Sequence, residues 1–117
     1  MKALFAVFLT AHGLIHLLGV AKGFRFADLP QLTQPIAPIF GGLWLIAALL
    51  HVAAALLLFM SPRWWWAAGA AAVVVSTVAI VPSWTDAKVG AAANVVVLAG
   101  VALGLFLQGP LSLRAQY

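Results

Sequence analysis

The chain has no cysteine, one tyrosine and only two acidic side chains among 117 residues. Without cysteine there are no disulfides, thiolate metal sites, iron–sulfur clusters or covalently attached c-type haem. Charged residues make up 7% and hydrophobic residues 66%, against about 25% and about 45–50% in soluble domains. So few charges cannot cover a water-facing surface, and the composition predicts a protein whose solvent is the bilayer. The pI near 10.4 rests on six scattered Lys and Arg. They form no patch, which predicts basic ends of membrane helices rather than a nucleic-acid partner. There is no Gly-rich phosphate loop, GxSxG or HExxH, so no enzyme signature stands out. No carboxylate lies inside an apolar run, which argues against a proton-coupled small multidrug exporter.

Four apolar runs are present, at about residues 3–21, 38–60, 64–82 and 89–108. Each is long enough to cross a hydrocarbon core of about 30 Å. The first reads as a retained helix rather than a signal peptide, because it carries two mid-segment histidines and no cleavage site ahead of a soluble domain. The short breaks "SPRWWW" and "PSWTDAKVG" make successive helices antiparallel neighbours. The expected fold is all-α: one transmembrane domain over 1–117, an up-down-up-down four-helix bundle, multi-pass in the membrane. Lys2, Arg63 and Arg114 fall at one end (end A), and Lys22, Arg25 and Lys88 at the other (end B). Three against three sets no orientation.

Trp64, Trp65 and Trp66 are expected to form an interfacial belt at end A, with Trp84 doing the same at end B. The first loop, with Phe24 and Phe26 and broken by Pro30, Pro35 and Pro38, reads as an interfacial connector rather than a lid. Gly19/Gly23 and Gly100/Gly104 form GxxxG pairs that permit close helix approach. The second pair is also the candidate face for a homodimer.

Polar residues inside the apolar runs are few, and their depths coincide. Counted from end B at 1.5 Å per residue, His12 and His51 lie roughly 14 and 16 Å down, while His16, Ser76, Thr77 and Asn94 lie roughly 8–9 Å down. His12, His16, Gly19 and Gly23 share one helix face. They predict an inward, histidine-lined pocket that opens toward end B, with His12, His16, His51, Ser76, Thr77 and Asn94 as ligand-binding candidates. Lys22, Arg25, Trp84, Asp86 and Lys88 would surround its mouth. Asp86 reads first as a helix cap and second as a gate.

Several chemistries suit such a pocket. Imidazoles at i, i+4 sit about 5–6 Å apart at Cβ, so His12, His16 and His51 are candidate ligands of a divalent metal ion. Opposed histidines on two helices are candidate axial ligands of haem b. A quinone-like lipophilic ligand would use imidazole and Asn94 as hydrogen-bond partners. A subunit of this kind would need a membrane redox partner, since the chain has no second centre. The alternatives are histidines acting as interhelical packing groups and a proton- or ion-conducting bundle.

"HGLIHLLGVAKGF" and "SWTDAKVGAAANVVVL" resemble the HGxIHLxG…K and WxDAKxG patterns of a group of small bacterial four-helix integral membrane proteins. The likeness extends through "GGLWLIAALL". The chain is also similar to DoxX-like membrane proteins, four-helix bundles of which some are associated with quinone reduction. The resemblance implies the fold, a bacterial origin and a focus on His12, Gly13, His16, Lys22, Trp84, Asp86, Lys88 and Asn94. It implies no particular ligand.

Overall fold

Apolar side chains at nearly every position bury the backbone's hydrogen bonds within helices, the only open-ended structure that satisfies every N–H and C=O in lipid. A computed structural model describes residues 2–30, 32–60 and 63–107. Among them the chain is all-helical: α1 (Lys2–Gly23), α2 (Pro38–Met60), α3 (Trp65–Ile80) and α4 (Trp84–Leu107), with a 3₁₀ turn at Val81–Ser83 between the last two. Pro38 opens α2, where its missing N–H costs nothing. Arg114 and Gln108 lie outside the described residues.

The break expected at "PSWTDAKVG" is itself helical. Helix runs on from Trp65 to Leu107, so the described chain holds three long apolar helical stretches rather than four. They measure 22, 23 and 43 residues, with mean hydropathies of 1.9, 2.5 and 2.2, and are long and apolar enough to cross a membrane. The longest doubles back at the 3₁₀ turn. Trp65 packs on Gly104, Val101 on Gly69, Asn94 bonds Ser76, and Ile80 meets Gly90. Pro82, lacking an N–H, sits in that turn and tightens it instead of opening a loop.

Close approach of α1 to α2 needs glycine. A Cβ built at Gly23 would fall 2.6 Å from Gly41 Cα, and one at Gly19 would strike the Trp44 ring. The GxxxG pairs are thus consumed inside the chain. Gly100 and Gly104 face Phe5 and Trp65. The expectation for Trp65 is corrected: it is buried against Phe5 and Gly104, and only Trp64 is well exposed in that run. The core at end A joins Leu9, Ala54, Leu58, Trp65, Val97 and Val101. At end B it is Val20, Trp44, Ala79 and Ile80.

The first loop is more than a connector. α1 closes in a Schellman arrangement, with Phe26 N–H on Ala21 O at 2.7 Å and Arg25 N–H on Lys22 O at 3.1 Å. Arg25 takes the left-handed position usually given to glycine, at φ 60°. The chain then crosses to the start of α4. The Thr33 hydroxyl donates to Asp86 Oδ1 (2.6 Å), Gln34 N–H to Asp86 Oδ2 (2.7 Å), and Thr85 N–H to Gln34 Oε1 (3.1 Å). Lys22 Nζ donates to Leu32 O behind it. This strap supplies an acceptor to an orphan N–H at the α4 N-terminus and places Leu32 and Ile36 over a cavity.

Candidate functional site

The site begins with Gly13. A Cβ there would fall 2.8 Å from His51 Cβ and 3.1 Å from Ala48 O. Its absence lets α1 and α2 approach until three imidazoles meet. Ring centroids of His12 and His16 are 4.7 Å apart, of His12 and His51 4.7 Å, and of His16 and His51 5.0 Å. All three side chains are buried, and among the described residues none bonds a carboxylate. A core without a counter-ion accommodates the uncharged rings.

Their partners fix the tautomers. His16 Nδ1–H donates to His12 O (2.7 Å), which leaves Nε2 to accept from the Ser76 hydroxyl (2.6 Å). Asn94 Nδ2 donates to Ser76 Oγ (3.0 Å) and Thr77 Oγ1 (3.3 Å), and Asn94 Oδ1 accepts His12 Nε2–H (2.8 Å). The six candidates are therefore brought together across all four helices. His16 bridges to α3, and Asn94 ties α1 to both α3 and α4.

His51 differs from its neighbours. Its Nδ1–H donates to Ala47 O (2.7 Å), and its Nε2 is a buried acceptor with no partner. An unmet buried acceptor costs about 1–3 kcal/mol. His51→Leu is therefore expected to raise stability by about 1 kcal/mol, read as a later midpoint in detergent-titrated unfolding. A loss instead of a gain would show that Nε2 has a partner in solution.

Haem b and a divalent metal do not fit this arrangement. Two histidines cannot clasp a macrocycle when their rings already touch. Both nitrogens of His16 and Nε2 of His12 are spent on protein partners. Among the described residues, no group of three His, Cys, Asp or Glu side chains is arranged to hold a metal ion.

What the geometry does offer is space. A cavity of about 250 Å³ lies on the end-B side of the cluster. His12, His16 and Trp44 form its deep end, and the Trp44 ring packs on His16 at 5.1 Å between centroids. Ile15, Leu18, Gly19, Ile80, Val89, Gly90 and Ala93 form its walls. Asp86, Ser83 and Ala87 border the mouth beneath Leu32 and Ile36. Of the expected ligand-binding residues, only His12 and His16 line it. His51, Ser76, Thr77 and Asn94 stand behind and hold them. Of the expected mouth, only Asp86 lines the cavity. Lys22 anchors the strap, while Arg25, Trp84 and Lys88 are exposed to the outside. Trp44, Ile80, Leu32 and Ile36 were not foreseen. For Trp44, its place two turns before His51 on one helix face was the available signal.

Neither a family model, nor a curated protein, nor a solved structure matches this chain.

Asp86 is the charged group at the mouth, in the first turn of α4 ahead of its apolar run. The Thr33 hydroxyl and the Gln34 N–H hold its carboxyl below the usual aspartate range, and Lys22 adds a smaller attraction in the same direction. A depressed carboxyl stabilises above its ordinary pKa, and the contribution is lost as pH falls through the lowered value. The strap is thus expected to be latched at neutral pH and to loosen as pH drops below about 4. Acid-tolerant proteolysis of the 27–37 segment should speed up over that interval. In Asp86→Ala the segment should be cut quickly at every pH.

Proposed function

We propose that the protein is an all-helical, multi-pass protein of a bacterial inner membrane that binds a lipophilic molecule in the cavity beside His12 and His16. The observation that carries this reading is a cavity of about 250 Å³ whose walls are almost wholly apolar and whose inner end holds two buried imidazoles. Apolar walls with a few fixed polar groups are the general form of small-molecule sites, and the size falls just below their usual range of about 300–1,000 Å³. The network behind the histidines supports binding by fixing their orientation before any ligand arrives, which lowers the ordering cost of association. A relay of protons through the cluster is less favoured. Asn94 is its hub, and a carboxamide does not pass a proton on as an imidazole does.

Native mass spectrometry of the full chain released from mild detergent tests this. One non-phospholipid adduct per chain is expected in the wild type, falling at least tenfold in Ala93→Phe, which puts an aromatic ring into the cavity. Equal adducts in both proteins, or none in either, would contradict the reading.

A further inference from the structure

The cavity is open on a particular side. α1 packs along α2, α2 along α3 and α3 along α4, but the backbones of α1 and α4 approach each other at few points. Toward end A their seam is filled by Phe5 against Gly100, and at mid-depth it is pinned by His12 on Asn94. Above that pin, among the described residues, the cavity occupies the gap between the two helices. Ile15 and Leu18 on α1 and Val89 on α4 line it while being 60%, 41% and 76% exposed on the molecule's outer surface. Side chains that face both a cavity and the apolar exterior frame a slot, and at this depth the exterior is the hydrocarbon of the bilayer. The strap, through Leu32 and Ile36, covers the end-B side.

The polar atoms at the inner end come from His12, His16 and Trp44. His16 has both nitrogens committed. His12 gives its Nε2–H to Asn94, so its Nδ1 carries a lone pair and no hydrogen. The carboxylate of Asp86 is an acceptor too. Trp44 lines the cavity, but its Nε1–H is fully enclosed by protein and reaches no open space. The hydrogen-bonding atom left at the inner end is therefore an acceptor, while at the mouth the Asp86 carboxylate accepts and the Ser83 hydroxyl can donate or accept.

We infer that the cavity takes, sideways from the bilayer between α1 and α4, an amphiphile whose head group donates a hydrogen bond to His12 Nδ1 and whose apolar tail runs out through the slot. This rests on the ligand-binding reading above and narrows it to hydroxyl-bearing lipophiles, of which an alkylphenol is the simplest. A carbonyl or ether head of equal size would meet acceptor against acceptor. A mismatch of that kind leaves buried polar groups unpaired and discriminates strongly.

The test uses the full chain in lipid nanodiscs, with para-octylphenol and its methyl ether, para-octylanisole, as matched probes. Binding is read as a shift of the thermal unfolding midpoint with probe concentration. The phenol should bind at least tenfold more tightly than the ether. His12→Phe, which keeps the ring volume without the acceptor, should bring the two together. Ala93→Phe, which narrows the slot and leaves His12 and Asn94 untouched, should weaken the phenol at least tenfold, and it serves as the decisive variant if His12→Phe does not fold. Equal binding of both probes, lost in Ala93→Phe, would overturn the donor rule and leave the cavity reading intact. Binding of neither probe would overturn both. A phenol preference that survives in His12→Phe, or tight binding that survives in Ala93→Phe, would also overturn the inference.

Discussion

Asn94→Leu is expected to cost about 2–3 kcal/mol of stability, more than any other single change within the polar cluster. Asn94 accepts from His12 and donates to Ser76 and Thr77, so one substitution removes three interhelical bonds. It also strands groups that cannot reach water. His12 Nε2–H would lose its acceptor, and the hydroxyls of Ser76 and Thr77 would lose a donor. Interhelical hydrogen bonds in membranes average only about 0.6 kcal/mol each, so most of the expected loss is the penalty on the groups left unpaired. Unfolding in mixed detergent micelles measures it. A double-mutant cycle of Asn94→Leu with His12→Phe should show coupling of about 1 kcal/mol, because the pair shares one bond. Purely additive losses would mean that the His12–Asn94 bond contributes nothing in the membrane.

Gly23→Val should cost about 3 kcal/mol or prevent assembly. The hydrogen of Gly23 faces the Gly41 backbone, and a Cβ there would fall 2.6 Å from Gly41 Cα. Backbone cannot swing aside as a flexible side chain can, so α1 and α2 would have to separate at end B. The separation would reach the strap, whose anchor Lys22 is the preceding residue. Gly42→Val is the control. It lies one position on from Gly41, and a Cβ there meets nothing within 4 Å. Similar melting temperatures for the two variants would refute the close-packed α1–α2 contact.

Periodicity and depth made much of the cluster legible. His16, Ser76 and Asn94 share a depth when counted along antiparallel helices, and the structure joins them by hydrogen bonds. His12 and His51 share another, and their rings are in contact. These relations follow from helix rise alone, which tertiary packing hardly changes. What helix rise leaves open is which ring nitrogen is spent on which partner. Those commitments separate His12, whose Nδ1 keeps a lone pair, from His16, which keeps none. The strap was illegible for another reason. Its bonds run from Thr33 and Gln34 to Asp86, more than fifty positions apart, and no local pattern encodes so distant a partner. Trp65 carried a misleading signal. Tryptophan near a helix end suggests an interface. Here the large residues Phe5 and Trp65 fill the hollows that Gly100 and Gly104 leave within the same chain.

Histidine-selective nitrogen NMR of the full chain in lipid bilayers, with each ring assigned by single replacement, tests the central claim most directly. The account predicts that His12 carries its proton on Nε2 while His16 and His51 carry theirs on Nδ1, all three uncharged at neutral pH. His16 protonated on Nε2, or His12 protonated on Nδ1, would contradict the network and remove the acceptor that the cavity presents.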